Sequence, residues 1–158
     1  MEQVCKQLNE LDPGIVRWTD IAPCLKKTYA QGRDACQRAL RQPAPEHLHD
    51  WRKRAKDLWY QLDFLCPEWP PKTKKMLDLL EKLSEQLGDD HDLVLLSQFS
   101  DEQGNGRDEK ASLRQLIASK RKRYAERVRQ LGSALYARMP GPACEQWERD
   151  WKTWRKIS

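Results

Sequence analysis

Apolar residues along this chain recur at three and four residues, the period of a helix, and nowhere show the sustained alternation of a strand. Proline and glycine clusters punctuate the pattern: "DPG" at 12–14, Pro23, "PAP" at 43–45, "PEWPP" at 67–71, "LGDD" at 87–90, "QGNG" at 103–106 and "MPGP" at 139–142. Between them the spacing predicts helices over about 24–41, 46–66, 71–87, 91–99, 107–138 and 142–156, with a short one near 2–10. The expected fold is all-α, a bundle of about five to six helices, with 1–20 as an N-terminal segment and 21–158 as the bundle. Gly88 follows the stripe Leu77, Leu80, Leu83 and Leu87, which predicts a glycine cap there. Asp89 and Asp90 then suit the start of the next helix, and Pro71 suits a first turn.

The polar faces are less ordinary. On a wheel of ~100° per residue, Leu48, Trp51, Ala55, Leu58, Trp59, Leu62 and Leu65 share one face of the helix over 46–66. His49, Arg52, Lys53, Lys56 and Tyr60 share another arc, and Arg54 points elsewhere. In 24–41, Lys26, Arg33 and Gln37 form a stripe with Tyr29 at its edge, beside Leu25, Cys36 and Leu40. In 107–138 the apolar stripe runs Leu113, Leu116, Ile117, then Tyr124, Val128, Leu131 and Leu135. It lacks its apolar residue at one turn, where Lys120 and Arg121 stand. Bases at core-facing positions are costly unless paired. Three explanations stay open: pairing with an acid such as Glu85, Asp89 or Asp92, lining of a cavity that receives an anion, or long side chains reaching out to solvent.

Charge distribution sharpens this. The net charge is only +5, but residues 26–56 hold nine Lys and Arg against three Asp and Glu. Residues 81–110 reverse the balance, with nine acids against three bases, and 114–129 return seven bases against one acid. Two basic stretches flanking an acidic one predict a site assembled from two segments rather than a basic tail. The five cysteines are dispersed singly, which argues against a disulfide framework or a thiolate zinc site and for small core residues. No apolar run approaches the ~18 residues of a membrane span, and the first residues lack a secretory layout. A cytoplasmic protein without a membrane partner is expected.

Which anion would such a cavity hold? No helix-turn-helix or zinc-finger pattern offers a DNA-reading element. The tryptophans mostly sit on apolar faces, not on a stacking surface for RNA, so nucleic acid is disfavoured. A thin, flexible phosphate chain suits inward Lys and Arg, each able to make a charge-assisted hydrogen bond. The stretch "LGDDHDLVLL" (87–96) offers another chemistry, a metal-dependent phosphohydrolase with a His91–Asp92 dyad and His47 or His49 upstream. That site needs further ligands on later helices, and no histidine follows residue 92. Asp89 and Asp90 read better as caps, and Asp92 as a carboxylate that pairs with an inward base and orients it.

Several motifs together resemble one family. "LHDWRKRAKDLWYQLDFL" followed by "LSEQLGDDHDLVLL" is similar to the CHAD family, whose helices read His, Arg three residues on, Lys at seven and Tyr at eleven, with LGD-x-x-D downstream. Here those are His49, Arg52, Lys56 and Tyr60, then Leu87, Gly88, Asp89 and Asp92. "CLKKTYAQGRDA" resembles its upstream helix through Leu25, Tyr29, Gly32 and Arg33, and the later paired-basic helix matches at Lys120–Arg121. The resemblance spans roughly 20–156. It implies an α-helical domain with a basic cavity that binds inorganic polyphosphate, without catalysis and without a cofactor or metal. The expected lining is Lys26, Arg33, His49, Arg52, Lys53, Lys56, Lys120 and Arg121. Tyr29 and Tyr60 would add hydroxyl contacts, with Asp89, His91 and Asp92 in support, and His49 would be protonated more fully on a phosphate chain. The family's domain has two similar helical halves and this chain resembles the second, so two copies are expected to associate and restore the missing half. The alternatives are the phosphohydrolase and an interaction module for an acidic protein or RNA.

Overall fold

In the computed structural model, which describes residues 17–66, 68–102 and 107–157, the chain is all-α. Its described helices are α1 (Trp18–Arg41), α2 (Pro45–Leu65), α3 (Pro71–Glu102), α4 (Arg107–Leu135) and α5 (Pro140–Ile157). Each of the first three packs on the next, and α5 folds back on α1 and the start of α3. The expected helix near 2–10 lies outside the described residues.

The apolar face read from the sequence is the core. Trp51, Ala55, Leu58 and Leu62 of α2 are fully buried, against Leu25 and Tyr29 of α1 and Leu80 and Leu83 of α3. Full burial of one such large side chain contributes ~1.5–3 kcal/mol. Trp147 and Trp151 of α5 complete the core: Trp147 meets the Tyr29 ring edge-on at 5.6 Å between centroids, and Trp151 meets Trp18 at 5.6 Å. Cys36, Cys66 and Cys144 are buried free thiols, while Cys24 is exposed. Burial pushes the Cys36 thiol up to about 11.

Three helix boundaries differ from expectation. Helix α1 begins at Trp18, inside the segment set apart as 1–20, and carries Pro23 in its second turn. A proline there forfeits one backbone bond, but Trp18 is buried on Trp151 and Asp20 reaches back to the Arg17 backbone, which holds the first turn. Helix α4 ends at Leu135 rather than near 138, where the buried Tyr29 hydroxyl reaches the carbonyls of Leu135 and Arg138, each at 3.0 Å.

The third difference bears on function. No break occurs at 88–90: α3 runs unbroken through "LGDD", so Gly88 is not a cap and Asp89 and Asp90 start no helix. Gly88 answers a packing need instead, since a Cβ there would lie 3.0 Å from Nη2 of Arg52. Asp90 is buried and bound to Arg121 of α4. No described helix is long and apolar enough to cross a membrane.

Candidate functional site: the groove between α2 and α3

The ridge His49, Arg52, Lys56 and Tyr60 runs along α2 at helical spacing and borders α3. Its fixed point is Arg52. The half-buried guanidinium lies on the bare backbone of Gly88, and its Nε donates to the Ser84 carbonyl at 3.1 Å. A carbonyl oxygen has two lone pairs, so Ser84 can accept this bond within the unbroken helix, and its own hydroxyl donates to the Leu80 carbonyl one turn back, at 2.8 Å. A charged group with one donor committed and the rest of its planar fork available is a preorganised anion contact.

Two pockets open on either side of Arg52. The smaller, about 90 Å³, is lined by His49, Arg52, Asp90 and His91 over an apolar floor that includes Leu48, Leu87 and Val94. The larger, about 250 Å³, is lined by Arg52, Lys56, Trp59 and Tyr60 of α2 and by Glu81, Ser84 and Glu85 of α3. Lys56 Nζ sits 5.7 Å from the Tyr60 ring centroid, and that ring stands edge-on to Trp59 at 5.2 Å. The two glutamates set an opposing negative edge to the groove.

Behind the smaller pocket stands an ion pair. Arg121 donates from Nε to Asp90 Oδ1 at 2.8 Å and from Nη2 to Oδ2 at 3.3 Å. This fills the missing apolar turn of α4: Arg121 occupies the inward position and is neutralised there. The acid is Asp90, not Glu85, Asp89 or Asp92. Asp92 is exposed and lies 3.6 Å from His91 Nδ1, and Asp89 is exposed on the outer side of α3.

The remaining expected contacts disperse. Lys120 is exposed, not core-facing, because Arg121 takes the inward place. Lys53 is exposed and lines neither pocket. Tyr29 is a correction: it is buried, with its hydroxyl committed to two carbonyls, so it caps α4 from within the core. Burial raises its hydroxyl above the usual tyrosine range, against the pull of Arg33 and Arg138. Lys26 and Arg33 line neither pocket. The first acts on the Cys144 thiol of α5, and the second on Tyr29 and Cys36. Among the described residues no group of three or more His, Cys, Asp or Glu could hold a metal ion.

The groove therefore joins His49, Arg52, Lys56, Tyr60 and His91, with Asp90 and Arg121 behind them. Sequence reasoning missed Ser84, Gly88 and Asp90 as the parts that seat Arg52 and Arg121. Their only signal was the spacing of Ser84 and Gly88 at i and i+4, a small-residue strip beside a basic ridge.

A protein-family model, the CHAD domain, matches residues 6–101. This chain belongs to the CHAD family. The CHAD match takes in α1, α2 and nearly all of α3, and so contains both walls of the groove. Helices α4 and α5 lie beyond it. No curated protein and no solved structure gave a match.

Proposed function

We propose that this CHAD domain binds inorganic polyphosphate in the α2–α3 groove, as a non-catalytic receptor. The observation that carries the reading is the seating of Arg52 on Gly88 and Ser84, with His49 on one side and Lys56 on the other. Adjacent phosphorus atoms of an extended chain lie about half as far apart as the ~5–6 Å between side chains three or four apart on a helix, so the ridge meets about every second phosphate. Tyr60, half exposed at the end of the ridge, adds a hydroxyl, and His91 adds a ring nitrogen from the facing helix. CHAD membership is consistent with this ligand and with binding rather than turnover. Lys26, Arg33, Lys53 and Lys120 are outer contacts at most, reached only by a chain that leaves the groove.

The test is calorimetric titration with long-chain polyphosphate, beside single-stranded RNA of equal charge and the variant Arg52→Ala/Lys56→Ala. Binding to polyphosphate, weak binding to RNA and a loss of roughly tenfold or more in the variant are expected. Equal affinity for RNA would replace the reading by a general polyanion surface. An unaffected variant would remove the groove as the site.

A further inference from the structure

The outer side of the α3–α4 hairpin carries two exposed stripes. Along α3, Asp78, Glu81, Glu85, Asp89, Asp92, Leu96 and Phe99 follow one another at three- and four-residue steps, and all are exposed. Along α4, Leu116, Lys120, Arg123 and Arg127 do the same. Phe99 is 59% and Leu116 55% exposed, high for large apolar groups. Among the described residues, Glu81, Glu85, Asp89, Lys120, Arg123 and Arg127 make no ion pair, although charges of both signs lie close by.

The register of the two stripes is fixed. Asp90 bonds Arg121, and the two helices run antiparallel, so Leu116 lies level with 95–96, Lys120 with 91–92 and Arg127 with 84–85. Glu85 and Arg127 line the same open cleft of about 360 Å³, floored by Lys82, Gln86 and Leu131. Apart from Lys82, the face is therefore acidic on α3 and basic on α4, with an apolar end at a shared level.

We propose that this face docks a second copy of the same chain, the acidic stripe of each α3 lying along the basic stripe of the other α4. The charge pattern selects the symmetry. A two-fold axis parallel to the hairpin superposes α3 of one copy on α4 of the other at the same level. Acid then meets base along the length, and Leu96 and Phe99 meet Leu116 at the end. A two-fold axis across the helices would set acid on acid and is repelled. An extended polyanion on this face would meet Asp78, Asp89 and Asp92 together with the bases, so the second copy is the occupant that satisfies both halves of the face. The pairing has a consequence for the groove, resting on the function proposed above. Glu81 and Glu85 face Arg52 and Lys56, and bases from the second copy would neutralise that negative edge.

Sedimentation of the full chain, without polyphosphate, tests the pairing on its own. A species of twice the 18.7 kDa chain mass is expected at low salt, loosening as salt rises toward ~1 M. Two charge-reversed variants supply the decisive arm: Glu85→Lys/Asp89→Lys/Asp92→Lys and Lys120→Glu/Arg123→Glu/Arg127→Glu. Each alone should be monomeric, and an equimolar mixture should form a heterodimer. Should a triple variant fail to fold, Leu96→Ser/Leu116→Ser at exposed positions replaces it and should weaken the dimer by about tenfold or more. A monomeric wild type, a mixture of folded variants that stays monomeric, or an unchanged serine variant would each overturn the proposal. A dimer that ignores polyphosphate would leave the pairing standing and refute only the function.

Discussion

Tyr29 shows how one side chain can match a site pattern and serve another end. It stands in the basic stripe of α1, yet its hydroxyl closes the end of α4 on the carbonyls of Leu135 and Arg138. Tyr29→Phe should therefore cost about 1–3 kcal/mol through the unsatisfied carbonyls, seen in denaturant unfolding, while leaving polyphosphate affinity unchanged. Two glycines make a second contrast. A Cβ at Gly132 would stand 2.8 Å from the Trp51 ring and 2.9 Å from Cys36 Sγ, both buried and fixed. A Cβ at Gly88 would stand 3.0 Å from the end of the Arg52 side chain, which can swing away. Gly132→Ala should destabilise by about 1–3 kcal/mol. Gly88→Ala should hold its melting temperature, since alanine favours a helix interior by ~1 kcal/mol, and should weaken polyphosphate binding by displacing Arg52. Melting curves and titrations of the two variants check this, and the opposite ranking would remove Arg52 from its seat.

For the elements, the link between α3 and α4 is the Asp90–Arg121 pair. Asp90 is nearly buried while the Arg121 side chain is 41% exposed, so the pair gains less than a fully buried one. Its loss is still asymmetric, because Arg121→Ala strands a carboxylate in the interior. The expected order of stability in urea is wild type, then Asp90→Asn/Arg121→Ala, then Arg121→Ala, with about 1–3 kcal/mol between the first and last. The same elements show why the sequence misplaced the boundary at 88–90. Glycine followed by two aspartates has the local chemistry of a helix end and a new start. Local chemistry is silent on an arginine arriving from α2 and another from α4. Those two partners convert the same residues into the interior of one long helix. By contrast the apolar face of α2 was legible residue by residue, since burial follows the 3.6-residue period whatever lies opposite.

Taken as a whole molecule, the bundle closes only when α5 returns. Trp147 and Trp151 pack on Tyr29 and Trp18, and Thr73 at the start of α3 donates to the buried Asp150. The CHAD match ends at residue 101, but a fragment 1–101 lacks these tryptophans together with Val128 and Leu135. It should show no cooperative unfolding transition, measured by circular dichroism against the full chain; a cooperative melt would mean the core is complete without α4 and α5. Alkaline pH probes the same core. The Cys36 thiol is held at about 11, above its ordinary 9.0, by burial, so the folded state keeps it neutral after the unfolded chain has ionised. That stability is fully present below pH 9 and is lost as pH rises from 9 through about 11. The melting temperature should fall over that window, and Cys36→Ser should flatten the fall.

The sequence by itself determined the class of fold, the inward face of α2 and the ridge His49, Arg52, Lys56 and Tyr60. Each of these follows from spacing along one helix, which needs no partner to be read. Tertiary structure alone decided which bases stay available. It paired Arg121 with Asp90, set Arg52 on Gly88, buried Tyr29, and left Lys26 and Arg33 out of the lining of both pockets. It also placed Glu81 and Glu85 opposite Lys56. A side chain's charge is written in its own position, but its partner is set by helices that are distant in sequence and adjacent only once packed.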